Sequence, residues 1–295
     1  MFNNQTSILE LIKLLQSRKV SLYHACQLKD LQSYLKLGGV PARGLMTEAG
    51  LPFTSFKSDE NDQESGDWNR VFLNMNDFGN FFHSAKGSKS TPNIYGPILL
   101  KLDPDCIEDA SDVAVCLCSA GSSDYDRTAF SLKSTDEVNQ LFQHPSDGTP
   151  KSSWLKQTPD LKKTFSHVPV KGSPEISCTV DTRLIKLDYL TAVMVDPLSH
   201  SGCNLIDSVT ESLRGHDKIL GTMVKRTTHQ SVRYNALVKA VAKGPCDIKE
   251  LTEEPDLSEW AKNVIDIGLS WQFDRFATYL REGTISLLET EKTAA

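Results

Sequence analysis

Residues 22–41, LYHACQLKDLQSYLKLGGVP, hold the pattern from which the rest of the chain can be interpreted. A short strand is predicted over residues 20–23, because β-branched and aromatic residues favour extended structure, and it leads to His24. Apolar side chains then recur at helical spacing, which predicts a short amphipathic helix over residues 27–37. Gly38 stands where a left-handed helix cap is needed, so the chain should turn back beside the strand. A plain structural histidine is the alternative interpretation of His24.

The order of a strand histidine, a short helix and a Gly-Gly-x-Pro return resembles the first motif of the NAD-dependent ADP-ribosyltransferases. The pattern is most similar to the DarT-like toxins of that superfamily, which modify nucleic-acid bases. The resemblance implies that His24 hydrogen-bonds a ribose of NAD. It also implies that the backbone of Ala25 holds the nicotinamide amide.

A second aromatic motif follows the first. A strand is predicted over residues 69–74 and a helix over residues 77–85, with Phe72 in the strand and Phe82 in the helix. This unit resembles the part of the family that encloses the nicotinamide ring. The wider histidine-class transferases carry tyrosines there, so the resemblance implies stacking by Phe72 and Phe82 without hydroxyl contacts.

A glutamate, Glu175, opens a strand predicted over residues 174–180. Glutamate is a poor strand former, so its position needs a reason, and an exposed strand end is the ordinary one. In the family, a glutamate that opens this late strand is catalytic, which implies that role for Glu175. A carboxylate beside the ribose would stabilise the positive charge that builds as the nicotinamide bond breaks.

An arginine is expected to bind the pyrophosphate of NAD, because its planar fork offers two parallel hydrogen bonds. Arg70 and Arg43 both lie between the His24 motif and the aromatic motif, where the resemblance implies a functional arginine. Arg70 adjoins the aromatic strand and is the first choice as a catalytic residue, with Arg43 left open as a cofactor-binding residue. No G-x-G-x-x-G pattern occurs, so NAD binding of the Rossmann type is not indicated.

The segment before Glu175, residues 144–174, mixes basic and aromatic side chains and has five prolines. Basic residues track phosphates and aromatic rings stack on unpaired bases, so the segment is predicted to bind nucleic acid. A solvated loop with a few anchoring aromatics is the alternative. The residues chosen for nucleic-acid binding are Lys151, Trp154, Lys156, Lys162 and Lys163.

Composition limits the other possibilities. The seven cysteines include no C-x-x-C pair, so neither a zinc site nor a disulfide framework is indicated, and a reducing cytoplasm is expected. No apolar run approaches the ~18 residues of a membrane span. The net charge of −6 argues mildly against indiscriminate nucleic-acid binding, although residues 214–243 are basic. The acidic runs at residues 59–67 and 247–259 are interpreted as solvated faces or, for the second, as a docking surface.

Other local patterns complete the expected element order. A capping box formed by Ser7 and Glu10 predicts the start of an N-terminal helix, and a second one at Ser134 predicts a short helix. Residues 41–67 lack a clear period and are predicted to be a loop. Strands are predicted over residues 97–102, 113–118, 129–132 and 190–195.

The fold class predicted is α+β, with an ADP-ribosyltransferase-like split mixed β-sheet core, flanking helices and a C-terminal helical appendage. The catalytic domain is placed at residues 1–200 and the helical region at residues 201–295.

The resemblance implies a toxin that transfers ADP-ribose from NAD to a base in single-stranded DNA or RNA, in a toxin–antitoxin or phage-defence setting. NAD is the expected co-substrate without a metal, and a neutralising antitoxin protein is the expected partner. Two alternatives stay open: a transferase that modifies protein, and an inactive nucleic-acid-binding module of the same fold.

Overall fold

A computed structural model describes residues 1–76, 93–122, 125–144, 153–170, 174–225 and 273–294. The helices of these segments are α1 (Gln5–Ser17), α2 (Leu28–Leu37), α3 (Arg43–Glu48), α4 (Asp59–Glu64), α5 (Arg127–Phe130), α6 (Thr135–Asn139), α7 (Thr158–Thr164), α8 (Leu205–Ser212), α9 (Asp217–Leu220), α10 (Phe273–Leu280) and α11 (Ser286–Ala294). A π-helical segment, Arg281–Ile285, joins α10 to α11. Two short 3₁₀ helices cover Pro104–Ile107 and Leu187–Tyr189.

A seven-stranded mixed sheet forms the centre of the fold, in the order β11-β8-β4-β1-β3-β6-β5. The strands are β1 (Leu22–Cys26), β2 (Gly39–Pro41), β3 (Val71–Asn74), β4 (Ile98–Leu102), β5 (Ala110–Cys116), β6 (Glu175–Val180), β7 (Leu184–Lys186), β8 (Leu190–Val195), β9 (Ser199–His200), β10 (Cys203–Asn204) and β11 (Met223–Lys225). The β11–β8 pair is parallel and the other neighbours are antiparallel. The sheet and its flanking helices confirm the α+β class, while an ADP-ribosyltransferase fold stays a prediction.

The strand–helix–turn unit predicted from residues 22–41 is confirmed, with a shifted strand. β1 covers Leu22–Cys26 and pairs with β4 along its whole length, so His24 lies in the middle of a strand instead of at its end. α2 follows, and Gly38 ends it with a φ of 76° in the left-handed region. Its cap N–H donates to the carbonyl of Leu35, as the predicted cap requires.

Several local predictions were wrong in their bounds or type. α1 begins at Gln5 because the Asn4 side chain accepts from the N–H of Ser7 and caps the helix three residues earlier than predicted. The predicted loop at residues 41–67 contains α3 and α4. The first half of the strand predicted at residues 129–132 belongs to α5, which Asp126 caps through the N–H of Ala129, and Ser131 forms an isolated β-bridge with Cys116. The strands predicted near β3, β4, β5, β6 and β8 and the helix after Ser134 are present.

The region after residue 200 is not wholly helical. Met223, in the region predicted to be helical, lies in β11 and pairs with Val193 of β8 at the edge of the central sheet. The π-helical segment packs on the start of α2, where buried Thr284 contacts Gln27 at 2.7 Å. The described part of the C-terminal region is therefore continuous with the sheet and the core of the N-terminal part, and the division at residue 200 stays a prediction.

One apolar cluster runs from α1 through the sheet to α8 and the C-terminal helices. The six cysteines of the described residues are all free thiols. Five of them are buried, and three, Cys26, Cys106 and Cys178, belong to this cluster. Within the described residues, no helix combines the length and the apolar character that crossing a bilayer requires.

Candidate active site

A cleft of about 620 Å³, including its open mouth, lies over the β1–β3–β6 part of the sheet. It collects side chains from β1, β3, β6, α3 and α4 and from the loop after β5. The lining residues are His24, Ala25, Arg43, Phe56, Ser58, Asp59, Asp62, Phe72, Asn74, Tyr95, Ser119, Ala120, Gly121 and Glu175. Five residues selected from the sequence are therefore brought together, namely His24, Ala25, Arg43, Phe72 and Glu175.

Glu175 begins β6 and lies opposite Asn74 on one side and Cys116 on the other. Its carboxyl oxygens accept from the Ser119 hydroxyl at 3.2 Å and from the N–H of Ala120 at 3.0 Å. Burial raises the pKa of Glu175 to about 8, and nearby Asp62 and Asp67 raise it as well. At neutral pH this carboxyl is therefore mostly protonated.

The His24 side chain links β1 and β3, which share little backbone pairing. The described β1–β3 ladder has one registered pair, Tyr23 with Asn74, and the His24 ring continues the connection by contacting the Phe72 carbonyl through Nδ1 at 2.8 Å. A carbonyl can only accept, so Nδ1 carries the proton. Burial lowers the pKa of His24 to about 4, so the ring is neutral and Nε2 accepts from the Tyr34 hydroxyl at 3.0 Å.

Arg43 is held by an acid and two rings. Its guanidinium pairs with Asp30 at 3.3 Å and lies over the rings of Phe53 and Phe56, at 5.0 and 4.7 Å from their centroids. Burial alone would lower the pKa of Arg43, but Asp30, Tyr34 and Asp59 outweigh it and raise that pKa. The side chain is a fixed cation in the wall of the cleft.

Arg70, the first choice from the sequence, does not line the cleft. It is 5% exposed, and its guanidinium forms two 2.9 Å bonds to the carboxylate of Asp112 on β5. Further bonds run to Ser177 and Thr179 on β6. Arg70 thus ties the start of β3 to β6 and β5, and its donors are used inside the protein.

Two carboxylates that the sequence interpretation assigned to a solvated face line the cleft. Asp59 and Asp62 both lie on α4, and Asp62 is only 9% exposed. Asp67, in the same acidic run, is fully buried and accepts from Arg127 and Ser65. Because both side chains are buried, the solvated-face interpretation was wrong for Asp62 and Asp67.

Aromatic rings form another part of the wall. Phe56 meets Tyr95 edge to face at 5.3 Å and Tyr279 of α10 at 4.7 Å. Phe72 lines the cleft from β3. Phe82, the other ring selected from the sequence, lies outside the described residues.

The residues chosen for nucleic-acid binding do not line the cleft. Trp154 is 67% exposed, and its ring lies 6.0 Å from that of His144. Lys162 and Lys163 are exposed on α7, and Lys156 is half-buried. Lys151 lies outside the described residues. Within the described residues, the structure therefore does not bring these side chains together with the cleft.

The loop after β5 was missed because its small residues carry no chemistry of their own. Ser119 and Ala120 bind the carboxyl of Glu175, and a Cβ on Gly121 would lie 2.5 Å from that of Ser58. Close approach to α4 therefore requires glycine at this position. The one available signal was a run of small residues directly after an apolar strand.

The cleft thus combines a protonated carboxyl, a fixed guanidinium, a neutral imidazole and aromatic faces. Such a lining suits a ligand that carries an anionic group, a flat ring and hydroxyls. No three His, Cys, Asp or Glu side chains of the described residues are grouped as metal ligands would be. No protein-family model matches this chain, and a comparison with curated proteins also gives no match.

Proposed function

We propose that this protein is an NAD-dependent ADP-ribosyltransferase that transfers ADP-ribose to a base in single-stranded nucleic acid. One observation supports the proposal above the others. His24, Phe72 and Glu175 come from three distant parts of the sequence and line one cleft together with Arg43.

Each side chain has a proposed role. Phe72 and Phe56 offer faces to the nicotinamide ring, and Arg43 offers its guanidinium to the pyrophosphate. This choice replaces Arg70 with Arg43, because the donors of Arg70 are used inside the protein. The backbone of Ala25 is proposed to hold the nicotinamide amide, as the family resemblance implies.

Glu175 is proposed to stabilise the ribose as the nicotinamide bond stretches and positive charge develops. The carboxylate form is needed for this role. NAD supplies a pyridinium cation next to Glu175. This cation favours the carboxylate form and lowers the pKa of Glu175 from its value of about 8. The Ser119 and Ala120 donors fix the orientation of the carboxylate before the substrate arrives.

His24 can meet a ribose hydroxyl at Nε2 only when the Tyr34 hydroxyl gives up that position. The ring also holds the Phe72 carbonyl and so fixes the β3 side of the cleft. In the proposed complex, the ribose hydroxyl exchanges with the Tyr34 hydroxyl while the Nδ1 contact stays.

The acceptor is proposed to reach the cleft along the basic and aromatic surface of residues 153–170, which carries Trp154. A chain that modifies bases would be toxic to its host. It would therefore act in the cytoplasm with a neutralising partner, in a toxin–antitoxin or phage-defence setting. The acidic run at residues 247–259, suggested for docking that partner, lies outside the described residues.

The test uses NAD labelled in its adenylate phosphate, incubated with the purified chain and single-stranded DNA, single-stranded RNA or cell protein. Label is expected on an oligonucleotide. Glu175→Gln should reduce labelling by on the order of 10²–10³, because the amide keeps the shape and loses the charge. Label on protein alone would favour the protein-modifying alternative. Absence of label from all three acceptors would refute the transferase.

A further inference from the structure

Asp62 differs from the other acids of the cleft in having a buried oxygen without a hydrogen-bond partner among the described residues. Glu175 accepts two hydrogen bonds, and Asp59 accepts one from the N–H of Phe56 at 2.9 Å. Asp62 is 9% exposed, and its Oδ1 has no hydrogen-bond partner within the described part of the chain. The side chain lines the same cleft as Glu175.

Such an oxygen is costly to bury. An unsatisfied buried acceptor destabilises a protein, and more so when it is charged. Protonation of the Asp62 carboxyl removes the charge and lowers this cost. The Asp62 side chain lines the cleft, so the proton can come from a substrate bound there.

The charges around Asp62 set its protonation. Burial raises the pKa of Asp62 to about 7, and Asp59 on the same helix and Asp67 after it raise it as well. The cation of Arg43 on α3 opposes them. Glu175 on β6 is coupled to Asp62, since each carboxylate disfavours ionisation of the other. A carboxylate that takes up a proton near neutral pH is suited to general-base catalysis.

We infer that Asp62 takes the proton that the acceptor base releases as its new bond to ribose forms. The inference rests on the proposed transferase function. The bond between the nicotinamide nitrogen and C1′ breaks, and its electron pair leaves with neutral nicotinamide. The acceptor nitrogen forms a bond to C1′, and its proton moves to the Asp62 carboxylate. Glu175 stays ionised beside the ribose throughout.

This division of labour follows from the contacts of the two acids. Glu175 is oriented by Ser119 and Ala120, so its lone pairs are partly used and its charge is fixed in place. Asp62 is anchored by its helix, lines the cleft, and has no hydrogen-bond donor on its buried Oδ1 within the described residues. The substrate class that fits is therefore a nucleobase with an exchangeable N–H, presented opposite α4.

The pH dependence of transfer distinguishes a proton acceptor from a structural carboxylate. If both acids must be ionised, the logarithm of the single-turnover rate rises with a slope near ~2 at acid pH and a slope near ~1 after the first acid ionises. For Asp62→Asn, the logarithm of the rate should rise only with the slope near ~1. This rise should occur at lower pH than in wild type, because Asp62 raises the pKa of Glu175. The rate at neutral pH should fall by roughly 10²-fold or more.

The experiment compares wild type, Asp62→Asn, Asp62→Glu and the control Glu64→Gln, which removes a charge from an exposed position of α4. NAD affinity is measured by calorimetry and transfer to single-stranded oligonucleotides by label. Asp62→Asn should bind NAD nearly as wild type does, and Asp62→Glu should restore part of the rate together with the steeper limb.

An unchanged rate in Asp62→Asn, or a loss of NAD affinity equal to the loss of rate, would overturn the assignment of Asp62 alone. If Asp62→Asn does not fold, the pH profiles of wild type and Asp62→Glu test the assignment of Asp62. A wild-type rate that rises at acid pH with a slope near ~1, and a profile of Asp62→Glu that does not differ from it, would overturn the assignment as well. A wild type that labels no acceptor would overturn the proposed function, and the assignment of Asp62 with it.

Discussion

The raised pKa of Glu175 leads to a prediction that does not depend on any substrate. Its pKa is raised from 4.5 to about 8 in the folded protein, so between these values the folded state holds a proton that the unfolded chain has released. Stability from this protonated carboxyl is complete below pH 4.5 and is lost as pH rises through 8. Glu175→Gln does not titrate at this position and should gain stability relative to wild type over the same interval.

The gain has an upper limit of about 1.4 kcal/mol per pH unit for one group. Urea unfolding of wild type and Glu175→Gln at several pH values across the interval measures it. Glu64→Gln removes the same charge from an exposed position and serves as the control. A difference between Glu175→Gln and wild type that does not change with pH would show that Glu175 is not held protonated.

The two arginines should respond differently to one conservative substitution. Arg43→Lys keeps a cation beside Asp30 but loses the planar fork, so the Michaelis constant for NAD should rise about tenfold with little change in stability. Arg70→Lys cannot satisfy Asp112, Ser177 and Thr179 together, and stability should fall by about 1–3 kcal/mol. Unfolding curves measure the effect on stability, and NAD kinetics measure the effect on the Michaelis constant. The opposite result, in which Arg70→Lys raises the Michaelis constant and Arg43→Lys lowers stability, would favour Arg70 as the residue that binds NAD.

The sequence could nominate both arginines but could not choose between them. Each precedes or begins an element near the proposed site, and both are residue types that bind phosphate. The choice depends on which carboxylates lie nearby, and Asp112, the partner of Arg70, is on a strand 42 positions away. Glu175 was easier to select, because a glutamate that heads an apolar strand is unusual without any knowledge of its neighbours.

Elements with a strong local signal were predicted, and those that depend on distant partners were not. α2 has an apolar stripe and a glycine cap, so its bounds follow from residues 27–38 alone. β11 is three residues long and exists because β8 offers a parallel edge. α4 is polar throughout, so it has no apolar stripe from which a helix could be predicted.

The π-helical segment after α10 supports the cleft through one close contact. Gly283 lies against Gln27 and Thr54, and an added Cβ would lie 2.4 Å from the Cβ of Gln27. Both neighbours are buried, so they cannot move aside easily. Thr284 also binds Gln27, whose amide donates to the carbonyl of Tyr95 in the cleft wall.

Gly283→Ala should therefore destabilise the protein by about 1–3 kcal/mol, as overpacking of a core does. The matched control is Gly221→Ala, where the added Cβ would meet its nearest atom at an ordinary 3.4 Å. That substitution should be neutral or stabilising by up to ~1 kcal/mol. Urea unfolding compares the two, and equal stability of both variants would contradict the close packing of the segment on the cleft.

At the scale of the whole molecule, the sheet order explains why the site could be proposed but not built from the sequence. β1, β3 and β6 are neighbours in the sheet, but along the chain α2, α3 and α4 separate β1 from β3, and β4, β5 and α5 to α7 separate β3 from β6. Motif order gave His24, Phe72 and Glu175 as a set. The acids of α4 and the small residues after β5 join them only through folding.

The last prediction concerns how the nucleic acid reaches the cleft. Trp154 is 67% exposed, and Lys162 and Lys163 are exposed on α7, so we propose these side chains as a platform for a strand. Stacking of one base on an aromatic ring contributes ~1–3 kcal/mol, so Trp154→Ala should weaken single-strand binding roughly 5- to 150-fold. NAD affinity should not change, because Trp154 does not line the cleft.

Binding should also weaken steeply with salt, since each phosphate that a lysine neutralises releases counterions. Replacing Lys162 and Lys163 together with alanine should reduce that salt slope, whereas Lys36→Ala, at an exposed position of α2, should not. Duplex should accept less label than single strands, because a base must leave the stack before it can react. Equal labelling of duplex and single strand, with Trp154→Ala binding as wild type does, would remove this surface from the path of the acceptor and leave its lysines as a solvated face.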